Sequence, residues 1–327
     1  MRKVLLATTA IVAVAGVAQA EVSVSGSYEF GYVSVSDDRT SDNDDMYNDH
    51  EIKFSFSNTT DSGLSFGAAS ELEGDADTTN GAVMDESSMY VSGDFGKIEM
   101  GQNDGAGPTF VTFPAYGSNN LGSYDAGTYT TNSAGTALTG VYMFPQYGRD
   151  GDNNKISYFS PNMGGFSFGY SYSDEGTDNA DTAMGLSWSG DMAGVGVAFT
   201  AMMEDSGEST DTTENSAYGV TLTSGDMDLG VSTGSTKTGT TIDSTTTVYG
   251  IGYNVSDSVR ITAHAVNSEN DITSGDEFTA QDIGLNYTIA PGLGLHMNVM
   301  SFEATDTSAT ANNNDGTVIR TSLKMSF

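Results

Sequence analysis

The sequence predicts an all-β chain: a transmembrane antiparallel β-barrel of 16 strands, with a long third external loop folded into the lumen. Three observations lead there. First, apolar residues recur at every second position, as in Phe166, Phe168, Tyr170 and Tyr172 with Ser and Gly between them, which is a strand with one greasy face. Second, short and long connections alternate strictly, seven short and eight long, giving 16 strands. Third, one connection, from Gln102 to Lys155, is far longer than a compact fold normally tolerates without a function for it.

The chain opens on an export signal. Arg2 and Lys3 precede a mostly apolar run from Val4 to Val17, and Ala18-Gln19-Ala20 is an A-x-A cleavage site. Residues 1–20 are therefore expected to be removed, leaving 21–327 as one barrel domain. No later run is long and apolar enough for a spanning helix. The strands then follow in order. Val22, Val24, Tyr28, Phe30 and Tyr32 mark the first, Ile52, Phe54 and Phe56 the second, and Leu64, Phe66 and Ala68 the third. After the central stretch come Phe166–Tyr172, then Met184, Leu186, Trp188, then Val195, Val197, Phe199, Ala201. Tyr218–Leu222, Met227–Val231, Tyr249–Tyr253 and Val259–Ala263 continue the pattern. Ile283–Tyr287, Leu293–Val299 and Ile319–Phe327 close it.

Short connections such as Asn58–Ser62, Pro161–Gly165 and Ala290–Gly292 are rich in Gly, Pro, Asn, Asp and Ser, as tight turns require. The long ones are Ser36–Asn48, Glu73–Asp85, the central stretch, Ser173–Thr182, Glu204–Glu214, Thr233–Ser244, Asn267–Glu277 and Glu303–Asp315. A soluble sandwich has no reason to put every long loop at one end. A membrane barrel does, with turns at one rim and loops at the other. Lipid cannot satisfy an open sheet edge, so the sheet must close. A secreted β-solenoid would need a fixed-length repeat, and none is present.

The central stretch differs from its siblings. Between Gly105 and Gly148 Asp125 is the one acid or base, tyrosines aside, yet Phe110, Phe113, Tyr116, Tyr124, Tyr129, Tyr142, Phe144 and Tyr147 all fall there. Disordered segments are charged and poor in aromatics. This one is built to lie against something.

Composition narrows the chemistry. Without the leader, nine bases face 44 acids, a formal charge of −35. Such a field repels nucleic acid and gathers cations. No cysteine is present, so no disulfide framework and no thiol metal site is expected. His264 and His296 sit on lumen-phase positions, but no serine–acid partner pattern accompanies them, so no hydrolase and no enzyme is expected. The acidic runs Asp37, Asp38, Asp42, Asn43, Asp44, Asp45 and Asp150, Asp152, Asn154 offer oxygen ligands for weakly held Ca²⁺, but lack the glycine and distal glutamate of an EF-hand loop. Hydrated outer loops are the plainer reading, and no cofactor is expected.

Two motifs flank the central stretch. Gly93-Asp94-Phe95-Gly96-Lys97-Ile98-Glu99-Met100-Gly101-Gln102 precedes it. Asn153-Asn154-Lys155-Ile156-Ser157-Tyr158-Phe159-Ser160-Pro161 and Gly164-Gly165-Phe166-Ser167-Phe168 follow. With Phe327 at the end of an alternating strand, these resemble a general porin of the Gram-negative outer membrane, of the alphaproteobacterial type. The resemblance implies a homotrimer of barrels in outer-membrane lipid, each a passive diffusion channel for small hydrophilic solutes and inorganic ions, with the third loop setting the pore size. It also implies loop acids facing wall bases. Asp104 and Asp125 are the acids; Arg149, Lys155 and Lys53 are the bases. Where such porins often hold arginine, this chain has Glu29, Glu51 and Gln102. Glu51, Arg260, Arg320 and Lys324 fall on the lumen phase of their strands. An acid-lined bore passes cations, so the channel is expected to be cation-preferring. The alternatives are a solute-specific channel, hinted at by Tyr116, Tyr124 and Tyr129, and an adhesive barrel without conductance.

Overall fold

The computed structural model describes residues 21–39, 44–75, 83–114, 129–148, 153–174, 176, 180–207, 212–272, 276–307 and 312–327. The expected leader lies outside them. The strands are β1 (Glu21–Asp37), β2 (Asp45–Thr59), β3 (Ser65–Asp75), β4 (Val83–Gly93), β5 (Gly96–Gln102), β6 (Asn154–Phe159), β7 (Phe166–Ser173) and β8 (Asp181–Met192). They continue as β9 (Val195–Ser206), β10 (Thr213–Ser224), β11 (Met227–Thr238), β12 (Ile242–Ser256), β13 (Val259–Asn270), β14 (Asp276–Ala290), β15 (Leu293–Thr305) and β16 (Asn314–Ser326). Each pairs antiparallel with its chain neighbours, and β1 pairs with β16 to close the barrel. The seam runs from Ser27↔Ser326 to Asp37↔Gly316 and is finished by reciprocal bonds of 3.0 Å between Gly26 and Phe327. Closure gives every strand two partners, the condition for placing a sheet in lipid.

Outward positions carry the large apolar side chains. Phe30, Phe56, Phe168, Leu186, Tyr218, Ile251, Ile283 and Leu323 are all exposed, as a lipid-facing band requires. Above this band the outward residues of β10–β16 turn to Ser, Thr, Asn, Gln and Glu, yet the ladder continues. The expected loop Thr233–Ser244 is largely strand: Thr233↔Thr247 through Thr238↔Ile242 are paired, leaving 239–241 as the connection. Likewise β13 runs to Asn270 and β14 begins at Asp276. Polar composition marks the edge of the hydrocarbon there, not the end of the strand. The short turns lie where expected. In one of them, between β8 and β9, Ala193 and Gly194 both have positive φ (56° and 85°), the backbone of a type I′ hairpin.

The wall is uneven. β5 and β6 have only seven and six residues, against 17 in β1 and 15 in β2. The β5–β6 connection therefore leaves the sheet far below the rim that its taller neighbours reach.

Candidate functional site

The described parts of the β5–β6 connection lie against lumen-phase residues of the wall. The outgoing arm begins with the single helical turn α1 (Ala106–Thr109). Its Ala106 N–H donates to Ser171 Oγ at 2.7 Å, and Ser171 in turn contacts Ser157 Oγ at 2.8 Å. Beyond α1 the arm crosses successive strands at glycines. Cβ atoms on Gly169 and Gly185 would lie 2.6 and 2.3 Å from the Phe110 ring; one on Gly219 would lie 2.4 Å from Thr112, and one on Gly250 within 2.6 Å of Pro114. A stripe of missing side chains thus forms the groove in which the arm rests. Phe110 is buried with Met202 and Ala217, which contributes about 2–3 kcal/mol for the ring alone. At its far end the Pro114 carbonyl accepts from His264 Nε2 at 2.9 Å, while Asp282 lies 3.7 Å from His264 Nδ1.

The returning arm, 129–148, packs higher. Tyr129, Leu138, Val141 and Met143 form one buried cluster with Phe278, Met300, Phe302 and Val318. Those wall residues are on the lumen phase, which for β14–β16 becomes apolar in the upper half. Polar anchors flank the cluster: Asn270 donates to the Thr139 carbonyl, Ser268 accepts from Tyr142 N–H and Asn132 reaches Asp306. Glu204 holds both arms. It accepts from Gly148 N–H at 2.8 Å and fits against Gly107 so closely that a Cβ there would lie 1.6 Å from its carboxylate.

Among the described residues, the two arms pack on β6–β16 and reach Val33 on β1, and two groups of charged side chains lie on the rest of the wall, on β1–β4 and β16. Lys53 on β2 sits there among acids, 2.8 Å from Glu71 and 3.8 Å from Glu86. Glu51 is next to Glu71 and Lys53. Asp104, at the root of the loop, faces this group and is exposed to the bore. Packing at the loop root desolvates its carboxyl and pushes its pKa up from the ordinary aspartate value; Lys155 opposes the rise and Glu71 adds to it. A second group lies on β1, β2 and β16. Glu29 accepts from Arg320 and from the Tyr47 hydroxyl, both at 2.9 Å, with Lys324 at 3.7 Å on its other oxygen. Arg320 also bonds the Tyr47 hydroxyl and stacks beneath that ring, 4.7 Å from its centre. Gly31 makes room for Tyr47, whose ring would meet a Cβ at 2.4 Å.

The expected site residues thus separate. Asp104 and Lys53 come together with Glu51. Lys155 is buried and donates to the Asn103 carbonyl beneath the loop root, so its charge is covered rather than turned to the open bore. Arg320 and Lys324 belong to the second group. Arg260 lies nearer the turn end, 2.6 Å from Asp228 and 3.1 Å from Asn254. Asp125 and Arg149 lie outside the described residues, as do Asp42, Asn43, Asp150 and Asp152. Asp37 and Asp44 are engaged with Arg39 and with Tyr32 and Val35. Among the described residues, no group of three or more His, Cys, Asp or Glu is arranged for a metal ion. The glycine stripe and the apolar lumen patch escaped sequence reasoning. Both were visible as lumen-phase residues that are neither charged nor polar.

A closed 16-strand barrel with a connection laid inside it is the geometry of a pore. The family model of the Gram-negative porins matches residues 7–307. The chain is a Gram-negative porin. The porin also shares its fold with solved structures of Rhodopseudomonas blastica porin. One triple mutant of that protein superposes with a TM-score of 0.66 at 18% identity, over 94% of this chain and 100% of the other. A different variant of the Rh. blastica porin gives 0.68 at 18%, and another 0.66 at 19%, with the same coverage. No curated protein matches the porin sequence. Family and fold place it in the outer membrane as a diffusion channel.

Proposed function

We propose that this porin is a trimeric, cation-preferring channel for small hydrophilic solutes, narrowed by its third external loop. One observation supports the preference above others: the bases are masked. Of the eight described Lys and Arg side chains, seven stand within ion-pair distance of a carboxylate, and the eighth, Lys155, is buried against a carbonyl. Lys53 and the buried Lys155 are the two positive charges that meet Glu51, Glu71, Glu86 and Asp104. The field left in the bore is therefore negative, and in a narrow low-dielectric passage it raises the local cation concentration.

The subunit contact is read from the outer face of β3 and β4. There Ala68, Ser70 and Ser87 interrupt the apolar band, with the two hydroxyls 3.5 Å apart across the pair Ser70↔Ser87. Lipid offers such groups no hydrogen-bond partner, whereas another protein surface can. Of the tyrosines that hinted at a solute-specific channel, Tyr116 and Tyr124 lie outside the described residues, and Tyr129 is buried against Phe302 at 5.9 Å and serves the loop anchor.

Planar-bilayer recording tests both claims together. Across a tenfold KCl gradient the reversal potential is expected to carry the sign of K⁺ preference, and single insertions are expected to close in three equal steps. An anion-signed potential overturns the preference; one-step closure overturns the trimer.

A further inference from the structure

The hydrocarbon face of β7–β10 is not smooth. It holds a groove of about 390 Å³. Its walls are Phe168, Leu186, Met203 and Tyr218, and its floor is Gly169, Gly185 and Ala201. The cause is a size mismatch in the outward rows. Ala201 pairs with Leu186 on one side and Tyr218 on the other, so a single methyl stands where large side chains surround it. Toward the turn end the groove is bounded by aromatic rings, Phe166 and Trp188, with centres 6.2 Å apart.

The floor has a second side. Gly169 and Gly185 are the residues against which Phe110 of the inward loop is pressed from within the barrel. Groove and loop anchor are therefore separated by one backbone layer. Without side chains on those two glycines, nothing else lies between them.

We propose that this groove seats one acyl chain of an outer-membrane lipid, back to back with the anchor of the constricting loop. Hydrocarbon is what the outer membrane presents at this height, and the groove continues the apolar band that already contacts it. Its lining is aliphatic, thioether and aromatic, almost wholly apolar apart from the tyrosine hydroxyls, which matches a methylene chain. A second copy of the chain is the other occupant of such a face, but the polar interruption suited to a subunit contact lies on β3 and β4, five strands along the wall. Filling the groove removes apolar surface that annular lipid would touch only in part, so the seated chain exchanges more slowly than its neighbours. This proposal does not depend on ion preference.

The test is photolabelling in vesicles containing phosphatidylethanolamine with a diazirine midway along one acyl chain. The full-length porin is irradiated, digested and mapped by mass spectrometry. Label is expected on Met184, Leu186 and Met203 at three or more times the level found on Tyr249, Ile251, Ile283 and Leu285, which also face outward but do not line this groove. Ala201→Phe, and Ala201→Leu as a milder filling, are expected to bring the first set down to the level of the second while conductance is retained. Even labelling around the band in the wild-type protein overturns the proposal, whatever the variants do. So does unchanged labelling in a folded variant, or ready disulfide-linking of two subunits through Ala201→Cys, which would show a second copy covering the groove.

Discussion

At the scale of single residues, Glu29 decides how much positive charge the bore wall shows. It is almost fully buried, and it is matched to Arg320 and Lys324 at 2.9 and 3.7 Å. Tyr47 lies over Arg320 and donates to the same carboxylate, so the group is covered on its open side. Breaking a buried pair by removing one partner costs about 3 kcal/mol, most of it from the charge left behind. Glu29→Gln keeps the acceptor for Tyr47 but leaves both bases uncompensated. It is expected to lower the K⁺/Cl⁻ permeability ratio by more than the loss of one acid elsewhere, for example Glu303→Gln at the outer rim. Adding Arg320→Gln is expected to restore most of the ratio. Reversal potentials of the three variants check this. Equal ratios in Glu29→Gln and wild type would show that the covered group has no influence on the bore.

At the scale of elements, the β5–β6 connection is held by absence as much as by contact. Glycines on β7, β8, β10 and β12 leave the groove in which Phe110, Thr112 and Pro114 rest. Gly219→Val places branched bulk where a Cβ already lies 2.4 Å from Thr112, so the arm must lift. The barrel ladder itself is unaffected, since valine suits a strand. Single-channel records are expected to show more frequent brief closures at unchanged barrel stability; records as quiet as wild type would mean the arm is not held there. This element also shows what the sequence makes legible. The two-residue period fixed which face of Phe166–Tyr172 meets lipid, because lipid and water select side chains in strict alternation. The same rule concealed the anchor of the loop. Phe278, Met300, Phe302 and Val318 lie on the inner phase, where only polarity was expected, because there the partner is another stretch of chain and not water. Lys155 shows a related limit: phase tells that a side chain points inward, but not whether a loop root covers it. Loop ends were misjudged at 233–244 because a strand that rises above the membrane needs no apolar face to keep its ladder.

At the scale of the whole molecule, a large acid excess coexists with a bore whose selectivity rests on a few groups. Physiological salt screens exposed charges over roughly 8 Å, so rim acids farther than that from the narrowest point contribute little there. In the cation-preferring channel proposed above, the acids near Lys53 and the loop root are the groups placed to sort ions, and Asp104 among them has a raised pKa. For Asp104 the neutral form is favoured by desolvation, so its pKa is raised above the ordinary 3.8. The sign follows. As pH falls from neutrality, Asp104 loses its charge before an ordinary aspartate would, and the bore becomes less negative. The permeability ratio is therefore expected to be flat from pH 8 to 7 and to start falling above the ordinary aspartate range, with a second decline as the remaining carboxylates protonate. Asp104→Asn is expected to begin at the lower ratio and to lack the first decline while keeping the second. If the two titration curves are parallel throughout, Asp104 is not the group that sets the first step, and the loop root does not govern selectivity.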